Sequence, residues 1–96
     1  MKLYLVHCGF YDRESSDGLY ESHVNFFVAA GSFEEARAKA KELPEFKRRS
    51  MHVDGLQEIQ AVGGCVVRLE ADSRLEGKTV LLTYRPRGHA PVLTTS

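Results

Sequence analysis

Hydrophobic and polar positions alternate from the first residues of the chain. Between Lys2 and Phe10, Tyr4, Val6, Cys8 and Phe10 fall on one side of an extended segment, and Leu3, Leu5, His7 and Gly9 on the other. Apolar groups on both sides predict an interior strand covered on each face. The polar stretch Asp12 to Gly18 ends in Asp-Gly and reads as an exposed loop. A second strand runs from Glu21 to Ala30, with Val24, Phe26, Val28 and Ala30 on one face. Its other face begins polar with Glu21, His23 and Asn25 and turns apolar at Phe27 and Ala29. Such a gradient fits a strand whose first half lies at the rim of a core.

Gly31-Ser32 closes that strand, and Ser32-Phe33-Glu34-Glu35 has the spacing of a capping box. A helix follows to Leu43, with Phe33, Ala36, Ala40 and Leu43 forming one apolar stripe and Glu35 and Lys39 an ion pair four residues apart. Pro44 stops it after about three turns, because its ring disfavours helical geometry at the preceding residue and it has no N–H. Lys47-Arg48-Arg49 is the basic run of the sequence. It reads as a solvated connection balanced by Glu42 and Glu45, against the alternative of an anion site.

A third strand is expected between Met51 and Val62, although Leu56, Ile59 and Val62 are three apart and also suit a helical turn. If Gly63-Gly64 forms a two-residue hairpin, Gln60 comes beside Val67 and Glu58 beside Leu69, which mixes polar with apolar groups on one face. Cys65 to Glu70 is a predicted strand with Val66, Val67 and Leu69 as core candidates, and Thr79 to Tyr84 a fifth. The order ββαβββ gives an α+β domain, mainly an antiparallel sheet of four to five strands with one helix on one face, over residues 1–85. Residues 86–96, with two prolines and little periodicity, read as a C-terminal arm.

Ninety-six residues with 43% hydrophobic content suffice for one domain. Thirteen basic and thirteen acidic residues cancel, which argues against nucleic acid as a partner and leaves little repulsion between copies. A homo-oligomer is the expected assembly. Two cysteines, Cys8 and Cys65, are too few for a disulfide framework and are read as reduced, buried and inert. The longest apolar run, Phe26 to Ala30, is far short of a membrane span, and residues 1–10 lack a signal-peptide pattern. The expectation is a cytoplasmic protein with no membrane contact.

Glu21 with His23, and His52 with Asp54, are each two apart, so on strands each couple presents a carboxylate beside an imidazole. If the strands carrying them are neighbours, the four groups converge into a metal site or an acid–base arrangement. Against that stands the ordinary role of a histidine that bonds a nearby carboxylate or carbonyl at a strand end. There is no Cys-x-x-Cys or His-Glu-x-x-His, so no metal or cofactor is expected from spacing alone. His7 and Cys8 diverge as neighbours on a strand, Ser15 and Ser16 lack a nucleophile-elbow pattern, and the catalytic residues stay unassigned.

The opening Met1 to Val6, Glu21-x-His23 followed by Phe26-Phe27-Val28, and His52-Val53-Asp54 with Val62-x-Gly64 together resemble the DUF1543 family of small bacterial domains. The resemblance spans Met1 to Ala71 and implies a bacterial protein without an assigned activity or transferable catalytic residues. Gly55-Leu56 stands where some members carry an aromatic residue after the His-x-Asp.

Two functional readings follow, and they leave open whether the chain is an enzyme. One is a non-enzymatic module, acting as a homodimer, that binds a protein or small molecule through a sheet face or edge. The other is a small enzyme or metal-binding protein that uses Glu21, His23, His52 and Asp54.

Overall fold

The computed structural model describes residues 1–13 and 17–96, so the expected loop after Asp12 and the serines 15 and 16 lie partly or wholly outside the described residues. Strand β1 (Lys2–Tyr11) pairs antiparallel with β2 (Glu21–Ala30) on one side and with β3 (His52–Glu58) on the other, giving the order β2-β1-β3. Both neighbours run opposite to β1 and hence parallel to each other. The connection between them must therefore cross over β1, and it does so through helices α1 (Phe33–Lys41) and α2 (Pro44–Arg48).

The start of α1 follows the capping pattern of its sequence. Ser32 Oγ accepts from the Glu35 N–H at 3.1 Å, and Glu35 Oε2 accepts from the Gly31 N–H at 2.9 Å, one residue further back than the usual box. Lys39 pairs with Glu35 at 3.1 Å as the spacing predicts, and it also donates to the Ala29 carbonyl at 2.8 Å, tying helix to strand. Ala36 and Ala40 are fully buried, and their small side chains let the helix lie close over the sheet. Phe33 stays half exposed, with its ring edge-on to Tyr4 at 5.2 Å.

Pro44 ends α1 and begins α2, occupying the first turn, where its missing N–H costs nothing. This second helix was not expected. It buries Phe46 and carries Lys47 and Arg48 of the basic run, with Arg49 as its C-cap. As expected, Glu42 and Glu45 balance the run, Lys47 bonding Glu42 at 2.8 Å and Arg49 lying 3.6 Å from Glu45 and over the Phe10 ring at 4.7 Å.

The core consists of Tyr4, Val6, Cys8 and Phe10 from β1, Val28 and Ala30 from β2, Ala36, Ala40 and Phe46 from the helices, and Met51. Each fully buried apolar side chain of this kind contributes about 1.5–3 kcal/mol. The alternation read for β1 and β2 is observed residue for residue on this face. The cover expected over the second face of β1 is not: both helices pack on the core side, and Leu3, Leu5 and His7 opposite are half-buried.

The α+β class and the antiparallel pairing hold, but the single sheet of four to five strands does not. The described strands form one sheet of three and two separate hairpins. The first hairpin joins β4 (Ala61–Val62) to β5 (Cys65–Val66) through Gly63-Gly64, both glycines at positive φ (56° and 82°), as a two-residue turn requires. The Val67 N–H donates to the Gln60 carbonyl, matching the expected register, whereas Glu58 pairs with Tyr4 and not with Leu69. Val66 and Leu69, expected in the core, are exposed, and Val67 is half-buried.

The second hairpin pairs β6 (Val80–Thr83) with β7 (Val92–Thr95), so the segment read as an unpatterned arm ends in a paired strand. Cys65 is exposed, which corrects the expectation that both cysteines are buried. No helix among the described residues is long and apolar enough to cross a membrane.

The cysteines give a direct test of this packing. Burial pushes the Cys8 thiol above its usual range, and the nearby Asp54 carboxylate pushes the same way, so its reactive thiolate is scarce. A thiol reagent applied to the native protein is expected to label Cys65 and spare Cys8 until denaturant is added. Mass spectrometry of the labelled peptides reads this out, and equal labelling of both sites in native buffer would contradict the core.

Candidate functional site

The open face of the sheet carries the four residues singled out by their spacing, and it brings them together. His23 and His52 are both cross-strand partners of Gly9, one on each side of β1. Their backbones are thus separated by two strand spacings, about 9.6 Å. Long side chains can close that gap only if the residue between them stays out of the way.

Gly9 does so. A Cβ at this position would overlap Glu21 Oε1 and lie 2.6 Å from Asp54 Oδ2 and 2.7 Å from His52 Nε2. The glycine is the floor of the site, and three of the four functional side chains occupy the space over it. The strands that carry the two couples are not neighbours, as convergence was expected to require; β1 lies between β2 and β3, and its glycine lets the groups meet.

Asp54 reaches the site through an irregularity in β3. The register with β1 passes from His7–Gly55 to Cys8–Val53, leaving Asp54 as an extra residue, a β-bulge. The bulge turns Val53 and Leu56, three apart, onto the core face, where both pack against the buried cluster. It leaves His52 and Asp54 on the open face. The helical turn that Leu56, Ile59 and Val62 also suited does not form: Leu56 lies in β3 and Val62 in β4.

The resulting geometry is tight. His52 Nε2 lies 2.6 Å from Glu21 Oε1 and 3.1 Å from Asp54 Oδ1, while His23 Nε2 lies 3.1 Å from Asp54 Oδ2 and 3.4 Å from Glu21 Oε1. Each imidazole therefore faces both carboxylates. The ligating atoms of Glu21, His52 and Asp54 all lie within 4.8 Å of one another. Two carboxylates this close repel unless positive charge sits between them, supplied by imidazolium protons or by a cation. The four side chains are 30–46% exposed, so water and solutes reach them.

His7 belongs to this neighbourhood, and sequence reasoning passed over it. It sits two residues before Gly9 on the same face of β1, its ring stacked on His23 with centroids 4.8 Å apart and planes within 7°. Its Nδ1 is 2.7 Å from Asn25 Oδ1. The signal was present in the alternation, which put His7 and Gly9 together on one side of β1, but His7 was weighed only against Cys8. Gly55, opposite His7, has no side chain to cover it.

An alanine at Gly9 tests the floor. The obstacles are the tips of flexible side chains and not backbone, so the sheet is expected to persist while the four groups spread apart. Two-dimensional imidazole NMR should show the His23 and His52 rings displaced in Gly9→Ala, with amide signals of core residues such as Val6 nearly unchanged. Unaltered imidazole signals would mean that the groups do not meet over this residue.

Comparison of the chain with protein-family models, with curated proteins and with solved structures finds no match.

Proposed function

We propose that this protein binds a divalent first-row metal ion through Glu21, His23, His52 and Asp54 and presents it, with bound water, on the open face of its sheet. The observation that carries this reading is the convergence of two imidazole nitrogens and two carboxylates over a glycine. Bonds of about 2.0–2.2 Å from an ion to nitrogen and oxygen hold neighbouring donors about 2.9–3.5 Å apart. Three of the four distances here, 3.1, 3.1 and 3.4 Å, fall in that range, and the fourth needs to open by only a few tenths of an ångström.

Charge supports the same reading. Two carboxylates and two neutral imidazoles sum to −2, which a divalent ion neutralises. The mixed nitrogen and oxygen set suits zinc, manganese or iron(II) and lacks the sulfur that would favour copper(I). An ion held by side chains this exposed keeps positions open to water, and lowering the pKa of such a water is the usual route to metal-assisted hydrolysis. The resemblance to the DUF1543 family remains a proposal from sequence and supplies no activity, so the reading rests on the residues themselves.

A second reading, the homodimeric binding module, draws support from the other half of the same face. Leu3 pairs with Ala29 and Leu5 with Phe27, and Phe27 is 59% exposed. These side chains form an apolar patch beside the imidazoles that a second copy could cover. The two readings are compatible, since a partner on the apolar half leaves the polar half open.

Titration of chelator-treated protein with zinc or manganese tests the first. Binding is expected to move the His23 and His52 imidazole signals together, and excess metal at a hundred times Kd should stabilise the fold by about 2.7 kcal/mol. His23→Ala and His52→Ala should each weaken binding at least about 10–100-fold, the cost of losing even an outer-shell partner. Imidazoles that ignore the metal would end the reading and leave a hydrogen-bonded strand edge. For the second reading, sedimentation should show a dimer that Phe27→Lys converts to monomer; a wild-type monomer at all concentrations would remove it.

A further inference from the structure

The four-ligand reading leaves His7 unused, although His7, His23 and Asp54 themselves present ligand atoms within 4.8 Å of one another. A second triad, Glu21, His52 and Asp54, is as closely set. The two share one residue, Asp54, and its two oxygens are divided between them: Oδ2 lies 3.1 Å from His23 Nε2 and Oδ1 lies 3.1 Å from His52 Nε2. A carboxylate whose oxygens face different imidazoles is arranged to bridge two ions.

His7 is prepared for that role. Asn25 Oδ1 can only accept, so the Nδ1 it faces at 2.7 Å carries the proton, and Nε2 keeps its lone pair for a ligand bond. An outer-shell carbonyl that accepts from the far nitrogen and fixes the tautomer is the standard companion of a metal-ligating histidine. The His7 ring is stacked parallel to that of His23, so the pair has to turn out of the stack for both nitrogens to meet one ion. Asn25 lies opposite His7 across β1 and β2, so the bond is a product of strand register.

We infer that the site holds a second divalent cation, bound by His7, His23 and Asp54, with Asp54 bridging it to an ion held by Glu21, His52 and the other Asp54 oxygen. This rests on the metal-binding reading above and changes its ligand set, since His23 passes from the first ion to the second. Paired ions sharing a carboxylate sit about 3.5–4 Å apart and can clamp one oxyanion, so the ligand class that follows is a phosphate ester or a related anion, gripped by both ions at once.

The experiment is calorimetric titration of untagged, chelator-treated protein with manganese(II), repeated on His7→Ala and Asn25→Leu and combined with electron paramagnetic resonance of the loaded samples. Two ions per chain in wild type, with spin coupling between them, and one in His7→Ala are expected. Asn25→Leu, which removes no ligand, should weaken only the second ion by about 10–100-fold, and Asn25→Asp should restore it. One ion in wild type overturns this inference and leaves the single-ion reading standing, whereas no ion ends both. Two ions in His7→Ala, or no coupling in wild type, place the second ion elsewhere and also overturn it. Circular dichroism on each variant separates loss of a ligand from loss of the fold; should His7→Ala unfold, His7→Gln and Asn25→Leu carry the test.

Discussion

The absence of a side chain at Gly9 is the constraint on which the site depends. Gly9 is in the middle strand of three, flanked by His23 and His52 in register. Any larger residue would stand between the two imidazoles and hold them about two strand spacings apart. With glycine there, the side chains lean inward until their nitrogens share the same carboxylates. The usual cost of glycine within a strand, roughly 0.5–1 kcal/mol, is thus accepted where a close approach requires it.

Having both helices on one side of the sheet makes this site reachable. Ala36 and Ala40 bring α1 down onto Tyr4, Val6 and Cys8, and Phe46 and Met51 complete the layer. Among the described residues, neither helix covers the opposite face. Its polar half carries the imidazoles and carboxylates, its apolar half Leu3, Leu5 and Phe27. On the two proposed readings, a ligand on the polar half and a second copy on the apolar half would not compete for the same residues.

Much of this was legible in the sequence, and the reasons for the remainder are physical. The alternation of β1 and β2 and the Ser32 cap depend on local chemistry, and they are observed as read. The pairs Glu21/His23 and His52/Asp54 were found from a spacing of two, because a strand puts such residues on one face. Strand order is not local. Nothing near His23 or His52 reveals that β1 lies between them, so the part played by Gly9 stayed hidden and His7 was judged against Cys8 alone. The segment after Val62 misled for a different reason: Val66 and Leu69 have the β-propensity of core residues, but they lie beyond the ladder that β1 offers, and a short hairpin on glycines buries neither.

The bulge at Asp54 links the core to the chemistry. In a regular strand Val53 and Leu56 would face opposite ways, and one of them would leave the core. Both pack inward, and the extra residue needed to allow this is Asp54 itself. The apolar contacts of Val53 and Leu56 therefore hold the carboxylate in place from the far side of the sheet. Gly55 follows at once, and its missing side chain keeps the space over His7 open. Hydrophobic packing on one face of β3 thus sets the aim of a charged group on the other, which is how so small a core can position a site that lies wholly outside it.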